Sequence, residues 1–142
     1  WWRVSTLNPS GYHAMRHYVL PLRYNDLLGI TKGGFLIGSY GMEDYLIPFA
    51  KAFRALPAKR FNDLPESTET VKARYLTINN HTYLYIVNTS DKPAKAEIQQ
   101  ANITADLVTG RPYHGDTINL PPYTLRSFKL GAPIKPTITI RQ

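Results

Sequence analysis

The chain has 142 residues, of which 43% are hydrophobic and 12% aromatic, a length that suits one domain or one small domain plus part of another. The absence of cysteine excludes a disulfide scaffold, a thiol nucleophile and a cysteine-ligated zinc site. The formal net charge of +7 raises the hypothesis of nucleic-acid binding, but the basic residues are scattered and Lys59-Arg60 is the only adjacent pair. We therefore expect a basic, solvated surface and no nucleic-acid partner.

The sequence carries no signal for a membrane or a secretion leader. No apolar stretch approaches the roughly 20 residues that span a bilayer, and no signal peptide is recognisable. Because the chain opens on Trp1 rather than Met, it has the character of an internal or processed piece. We therefore expect no membrane partner, and we expect part of the functional machinery to lie upstream of Trp1.

Residues 1–58 predict a helix–strand–helix segment. Residues 11–30 have helical spacing of apolar residues in part, and Pro21 is expected to kink or restart that helix because it removes a backbone donor. Residues 35–38 are typical of a short buried strand. The order helix, strand, helix is what one α/β repeat of a parallel sheet or barrel provides.

Residues 46–56 form the clearest helix of the chain. Because proline is tolerated only in the first helical turn, Pro48 predicts a regular helix that starts near residue 46 and ends before Pro57. The apolar residues at steps of three and four are expected to pack against a neighbouring domain: Leu46, Phe49, Phe53 and Leu56.

Residues 59–142 predict an antiparallel β-sandwich, because short strands alternate with tight turns. The strand 82–87 (TYLYIV) is apolar on both faces, which indicates a central strand covered on both sides. The segment Asn79-Asn80-His81 precedes it and favours a hairpin turn, since Asn accepts the left-handed region. Together with residues 1–58, this gives an α+β protein. The predicted strands are 71–78, 82–87, 94–100, 102–108, 117–120, 123–130 and 134–140.

Two carboxylates are candidates for chemistry. Glu43 and Asp44 follow the predicted strand 35–38 at its C-terminal end, where barrel proteins build their sites. The same two residues stand where acidic side chains favour a helix N-terminus. Both interpretations remain open, with Glu43 the one catalytic candidate; Asp26 is expected on an exposed helical surface.

Histidines and aromatic residues provide weaker signals. His13 and His17 are spaced i, i+4 and could share a helix face, but no Glu follows the first His as the metalloprotease pattern requires, so we expect neither a metal nor a cofactor. Asn-x-Ser/Thr triplets are glycan acceptors only in a eukaryotic secretory setting; they begin at Asn80, Asn88 and Asn102. Several aromatic rings could stack on sugars: Trp1, Trp2, Tyr12 and Tyr40.

Three stretches, residues 47–64, 83–98 and 105–130, resemble the C-terminal end of bacterial glycoside hydrolases, in which a (β/α) barrel is followed by a β-sandwich. The motifs that carry the resemblance are Val87-Asn88-Thr89-Ser90, Asp106-Leu107-Val108-Thr109-Gly110, and Leu120 to Phe128, which has the pattern Leu-x-Pro-Tyr-x-Leu-Arg-Ser-Phe. The chemistry of these residues also predicts an ion pair between Arg126 and Asp106 and a positive φ at Gly110.

The resemblance implies that residues 1–58 are the end of a catalytic barrel and that residues 59–142 are an accessory sandwich. The catalytic carboxylate pair of the family would then lie upstream of Trp1, and no position here matches it. The implied protein is periplasmic or secreted and acts on poly- or oligosaccharides, with this part packing on and stabilising the barrel. The residues that could touch the carbohydrate are Trp1, Trp2, Arg3 and Tyr40.

The alternative from another class is a carbohydrate-binding module. Such a sandwich holds sugars on exposed, coplanar aromatic rings, and Tyr83, Tyr85, Tyr113 and Tyr123 are the candidates. Tyr83 and Tyr85 are also candidates for core or interdomain packing, since large aromatics contribute most when buried. Titration with oligosaccharides, combined with Tyr→Ala changes, separates the module from the accessory domain.

Overall fold

A computed structural model describes residues 11–28, 43–99 and 102–142. In these residues, helices precede an antiparallel β-sandwich, which confirms the predicted α+β class. A 3-10 helix (Gly11–Met15) comes first, and the α-helices are α1 (Arg16–Val19), α2 (Pro21–Tyr24) and α3 (Glu43–Arg54). The strands are β1 (Asn62–Asp63), β2 (Val71–Ile78), β3 (His81–Asn88), β4 (Ala94–Gln99), β5 (Ile103–Asp106), β6 (Thr117–Leu120), β7 (Thr124–Leu130) and β8 (Thr137–Arg141). The predicted strand 35–38 and four proposed sugar-contacting residues lie outside the described ranges: Trp1, Trp2, Arg3 and Tyr40.

Two antiparallel sheets form the sandwich. The larger has five strands in the order β1-β2-β3-β7-β5, and the smaller has three in the order β6-β4-β8. The predicted central strand is confirmed, because β3 pairs with β2 on one side and with β7 on the other. The predicted hairpin between β2 and β3 is confirmed, but its turn has two residues rather than three, because His81 already pairs with Ile78. Asn79 and Asn80 have φ of 51° and 61°, the left-handed pair that a type I′ hairpin requires.

The first hydrophobic core fills the space between the two sheets. Strand geometry sends alternate side chains to opposite faces, so Leu84 and Ile86 of β3 point into the sandwich and meet the apolar residues of β4, β6 and β8. The largest contributions come from Leu64, Leu84, Ile86, Ile118, Leu120, Phe128, Leu130 and Ile138.

The second core lies on the other face of the larger sheet. Tyr85 and Val87, which alternate with the residues of the first core, pack there against the helices together with Leu125 of β7. The larger sheet is thus covered on both faces, which explains why β3 is apolar along its whole length. The helical side of this core is built from Ala14, Met15, Val19, Leu22, Phe49, Ala52 and Leu56.

The expected start of the third helix is wrong. Helix α3 already includes Glu43, three residues before the predicted start, and Pro48 lies in its interior. Acidic residues in the first turn favour this N-terminus, and the packing of Phe49 and Ala52 on the sheet compensates for the intrahelical hydrogen bond that Pro48 removes. Pro21, by contrast, stands at the start of α2 and restarts the helical chain after α1, as predicted.

Candidate functional site

The surface between the helices and the larger sheet is the site that the structure defines, and we call it the helix–sheet interface. Its members are the residues of the second core given above. Phe49 and Leu56 are buried in it, whereas Leu46 and Phe53 are half-buried at its margin. The ring centroids of Phe49 and Phe53 lie 5.9 Å apart in a stacked arrangement.

Three polar side chains lie side by side across this interface. Arg74 of β2 is the register partner of Tyr85 in β3, and Tyr85 is in turn the partner of Ser127 in β7. We call Arg74, Tyr85 and Ser127 the polar row. All three side chains are buried beneath the helices, so each needs a hydrogen-bond partner there.

Ser127 connects β7 to helix α3. Its hydroxyl donates to the backbone carbonyl of Ala52 at 2.8 Å, in a fully buried contact. Ala52 belongs to the last turn of the helix, where carbonyl groups lack intrahelical donors. The hydroxyl therefore satisfies an acceptor that the helix itself leaves open.

Arg74 connects β2 to the end of α2. Its Nη1 donates to the carbonyl of Leu22 at 2.8 Å and to that of Asn25 at 3.3 Å. Its Nε donates to Asp63 Oδ1 at 2.6 Å, which balances the charge of a buried residue. A cation at the C-terminal end of a helix is also favoured by the helix dipole.

Tyr85 joins the row to Asp26. Its hydroxyl accepts from Arg74 Nη1 at 2.9 Å and donates to Asp26 Oδ1 at 2.9 Å. Burial raises the pKa of Tyr85 well above its ordinary value, and the charge of Asp26 adds to the rise while Arg74 opposes it. The phenol is therefore neutral and acts as a structural hydrogen-bond relay.

The expected position of Asp26 on an exposed helical surface is wrong. Asn25 adopts an extended conformation that ends α2, and the half-buried Asp26 follows it toward the sheet. There the carboxylate also accepts the backbone N–H groups of Leu27 at 2.7 Å and Phe61 at 2.8 Å. These contacts make Asp26 a link between the helical segment and the start of the sandwich.

Asn88, from the first motif of the resemblance, fixes two turns of the sandwich. Its Nδ2 donates to the carbonyls of Lys92 at 2.7 Å and Leu120 at 3.1 Å, and its Oδ1 accepts from the backbone N–H of Ser90 at 3.0 Å. The side chain is fully buried. The amide is thus fully engaged in the fold and offers no accessible position for a glycan.

Asp106, from the second motif, fixes the turn after β5. Its Oδ1 accepts the N–H of Val108 at 2.8 Å, which ends the strand two residues before the predicted bound. The predicted ion pair is confirmed, since Arg126 Nη2 lies 2.7 Å from Asp106 Oδ2, and the predicted positive φ is found at Gly110 (71°). The turn brings Leu107 and Val108 against the helix–sheet interface.

The four tyrosines of the carbohydrate-module hypothesis do not form an exposed platform. Tyr85 is fully buried, and Tyr123 packs on the helix–sheet interface. The ring of Tyr113 lies edge-on to that of Phe128 with centroids 5.6 Å apart, and its hydroxyl donates to a backbone carbonyl. Tyr83 also packs against the interface. These positions do not favour the carbohydrate-module hypothesis, because Tyr85 is fully buried and the other three tyrosines are half-buried against packed side chains.

Glu43 is the catalytic candidate of the sequence, and His13 and His17 are its candidate metal ligands. Glu43 and Asp44 are exposed in the first turn of α3, where carboxylates favour the helix N-terminus. The His13 ring stacks on Tyr12 with centroids 4.1 Å apart. Within residues 11–28, 43–99 and 102–142, no three His, Asp or Glu side chains come together as a metal site would require.

A cleft of about 320 Å³ opens between the 3-10 helix, α3 and the turn that links β6 to β7. Aromatic and proline side chains form most of its wall, and Asp44 is the carboxylate among its lining residues. A retaining or inverting glycosidase needs two facing carboxyl groups, so this lining does not supply the pair. Lining residues include Tyr12, Asp44, Tyr45, Pro48, Pro122 and Tyr123.

Sequence reasoning missed the roles of Arg74 and Ser127. Both contacts join positions far apart in the chain, separated by 52 residues for Arg74 and Leu22 and by 75 for Ser127 and Ala52. A usable signal was present, because each is a polar residue at an inward-facing position of an alternating strand, and such a residue needs a buried partner.

In the described ranges, no helix is both long enough and apolar enough to cross a bilayer.

No family model matches the chain, and no curated protein matches it in sequence. Among solved structures, part of the chain is similar to the trehalulose synthase MutB from Pseudomonas mesoacidophila, with 23% identity and a TM-score of 0.45. It is similarly related to a mutant isomaltulose synthase from Erwinia rhapontici in complex with D-glucose, with 19% identity and a TM-score of 0.44. Each match covers 54% of this chain and 15% of the other, so this chain spans a small part of those proteins.

Proposed function

We propose that the chain is the C-terminal, non-catalytic part of a glycoside hydrolase that acts on poly- or oligosaccharides. In this proposal residues 1–58 end a catalytic barrel, and residues 59–142 form an accessory sandwich that packs on the barrel and stabilises it. The observation that carries the proposal is the burial of both faces of the larger sheet, one inside the sandwich and one against helices. A free-standing antiparallel sandwich commonly leaves the outer faces of its sheets in water.

The residues of the resemblance support the proposal, because two of the three motifs contribute contacts to the helix–sheet interface. Ser127 of the third motif holds the end of α3. The turn fixed by Asp106 of the second motif carries Leu107 and Val108 to the same interface. Asn88 of the first motif fixes the turn after β3 and the turn before β7, within the sandwich itself.

The structural contacts of three aspartates support a non-catalytic role for this chain. Asp26, Asp63 and Asp106 each accept structural hydrogen bonds or form ion pairs, which occupies them in holding the fold. Glu43 and Asp44 are neighbours at the start of a helix rather than a facing pair. We therefore propose that the catalytic carboxylates belong to sequence upstream of Trp1, with Trp1, Trp2, Arg3 and Tyr40 as contacts to the carbohydrate. A periplasmic or secreted location belongs to the same proposal.

An extended polypeptide tests this function. The coding sequence upstream of Trp1 is cloned, the longer chain is expressed, and release of reducing ends is measured on a panel of α- and β-linked glycans. We expect the longer chain to be active, Glu→Gln changes at upstream strand ends to abolish activity, and Glu43→Gln to leave it intact. Release of reducing ends by residues 1–142 alone, stopped by Glu43→Gln, would contradict the proposal.

A further inference from the structure

Strand β8 ends the smaller sheet, and no other strand of the described residues pairs with its far side. We infer that this edge is an interaction surface for a second copy of the chain, whose own β8 pairs with it antiparallel about a two-fold axis through Thr139. The two three-stranded sheets then join into one continuous sheet. This inference goes beyond the proposed function and does not depend on the reaction that a larger protein catalyses.

Three of the four edge strands in the described ranges are protected against pairing with another chain, as sheet edges commonly are. β1 has only two residues, and β5 has a register shift between Ile103 and Ala105 where it pairs with β7. β6 is followed directly by two prolines, and the carbonyl of Asn119 in this strand accepts from Arg126 Nη1 at 3.5 Å. These three edges are therefore poor templates for an added strand.

Strand β8 has none of these protective features. Its five residues, Thr-Ile-Thr-Ile-Arg, include no proline or glycine, and all five pair with β4 in an unbroken register. The first four are β-branched, which favours a strand. Thr137 and Thr139 are exposed on the outer face, and Ile140 is only half-buried where it packs against the first core. Among the described strands, β8 is thus the edge best suited to accept a further strand.

The sequence of β8 is complementary to itself in an antiparallel pair. When Thr139 lies opposite Thr139 of the partner subunit, Ile138 lies opposite Ile140 of the partner subunit, and Thr137 lies opposite Arg141 of the partner subunit. A Thr–Thr pair stabilises a sheet through its hydroxyl groups. The isoleucine pairs lie on the inner face and bury apolar surface that Ile140 leaves exposed in a single copy. A second copy therefore matches this edge on both faces.

The backbone supports the same register. In an antiparallel pair, directly opposite residues either exchange both of their hydrogen bonds or exchange none, and the two kinds alternate along the strand. A pair centred on Thr139 joins residues that lie an even number of positions apart, so the outward-pointing groups of one copy meet outward-pointing groups of the other. A register shifted by one residue would place outward-pointing groups against residues that already bond to β4.

The charges at this edge are compatible with pairing. Arg141 is the one charged residue of β8, and its Nη2 lies 3.2 Å from Glu97 Oε2 of the neighbouring strand. In the proposed register the two Arg141 side chains stand at opposite ends of the pair, about 14 Å apart along the strands. The net charge of +7 on each copy opposes association, so salt should strengthen the dimer by screening it. A strand pair is a small interface, and we expect a weak dimer that forms at high protein concentration.

A cysteine placed at the two-fold axis tests the pairing directly, because the chain has no cysteine of its own. Opposed Cβ atoms in an antiparallel pair lie about 4.5–5.5 Å apart, close to the distance that a disulfide bridges. The full chain carrying Thr139→Cys is oxidised at increasing concentration, and the covalent dimer is measured on non-reducing gels. Thr117→Cys is the matched control, since Thr117 is an exposed threonine of the β6 edge that flanks Glu97 on the other side, just as Thr139 does.

We expect the Thr139→Cys chain to form its covalent dimer about tenfold faster than the Thr117→Cys chain, because association raises the effective concentration of the paired thiols. Equal rates for the two variants would overturn the inference.

Charged residues at the axis provide a second and reversible test. Thr139→Lys and Thr139→Glu each place like charges opposite one another, and each variant alone should remain monomeric in sedimentation velocity at concentrations where the unsubstituted chain dimerises. An equimolar mixture of the two variants places opposite charges there and should restore the dimer. Circular dichroism checks that both variants retain their sheets. An unsubstituted chain that is monomeric at every concentration, or a dimer that survives both substitutions, would overturn the inference.

Discussion

Tyr85 is the residue in which packing and polar contacts meet. Its ring fills the second core, with its centroid 5.1 Å from that of Phe61, while its hydroxyl links Arg74 to Asp26. A buried hydroxyl stabilises a fold only when it is paired, and here both of its hydrogen-bonding roles are used. Single substitutions at this interface therefore test packing and polar contacts separately.

The first prediction concerns alkaline pH. Folding raises the pKa of Tyr85, so its contribution to stability is fully present below about pH 10, the ordinary pKa of an unfolded tyrosine, and is lost as pH rises toward the folded-state pKa. Above pH 10 the unfolded chain releases a proton that the folded chain keeps, and stability should fall by about 1.4 kcal/mol per pH unit from this group. Urea unfolding at several pH values measures how steeply the free energy of unfolding falls with pH, and this slope should be smaller by that amount in Tyr85→Phe. Equal slopes in the two proteins would contradict the prediction.

The second prediction separates two neighbouring phenylalanines. Phe49 is 4% exposed, so Phe49→Ala should lower the free energy of unfolding by about 3–5 kcal/mol through lost burial and the cavity left behind. Phe53 is half-buried, so Phe53→Ala should cost less, about 1–2 kcal/mol. Urea midpoints of the two variants check the order, and a larger loss for Phe53→Ala would show that α3 packs with a different face.

At the scale of elements, the strands were predictable because their signal is local. The alternation of apolar and polar residues specifies each face of a strand, and β2 and β6 have the predicted bounds. The start of α3 and the place of Asp26 were not predictable in this way. Both depend on contacts with distant residues, as when Asp26 accepts the N–H of Phe61, 35 residues further along the chain. The polar row escaped the sequence analysis for the same reason.

The third prediction concerns Asn88, which holds the turn after β3 and the turn before β7. Asn88→Ala removes a buried amide that donates to the carbonyls of Lys92 and Leu120, and should lower the free energy of unfolding by about 2–3 kcal/mol. Asn102 is a matched control, since it begins the same kind of triplet but is exposed. Asn102→Ala should change stability by less than about 0.5 kcal/mol. Equal losses in urea unfolding would contradict the structural role of Asn88.

At the scale of the whole molecule, one sheet serves two cores. Leu84 and Ile86 of β3 belong to the core between the sheets, and Tyr85 and Val87 of the same strand belong to the helix–sheet interface. Because neighbouring residues of one strand contribute to both cores, loss of either core removes support from the other. The helical segment and the sandwich are therefore expected to unfold as one cooperative unit.

Calorimetry of the chain tests this central claim most directly. We predict a single thermal transition whose calorimetric and van't Hoff enthalpies agree. Phe49→Ala on the helical side and Ile118→Ala inside the sandwich should both move that one transition to lower temperature. Two separable transitions, with each substitution shifting only its own, would contradict the account.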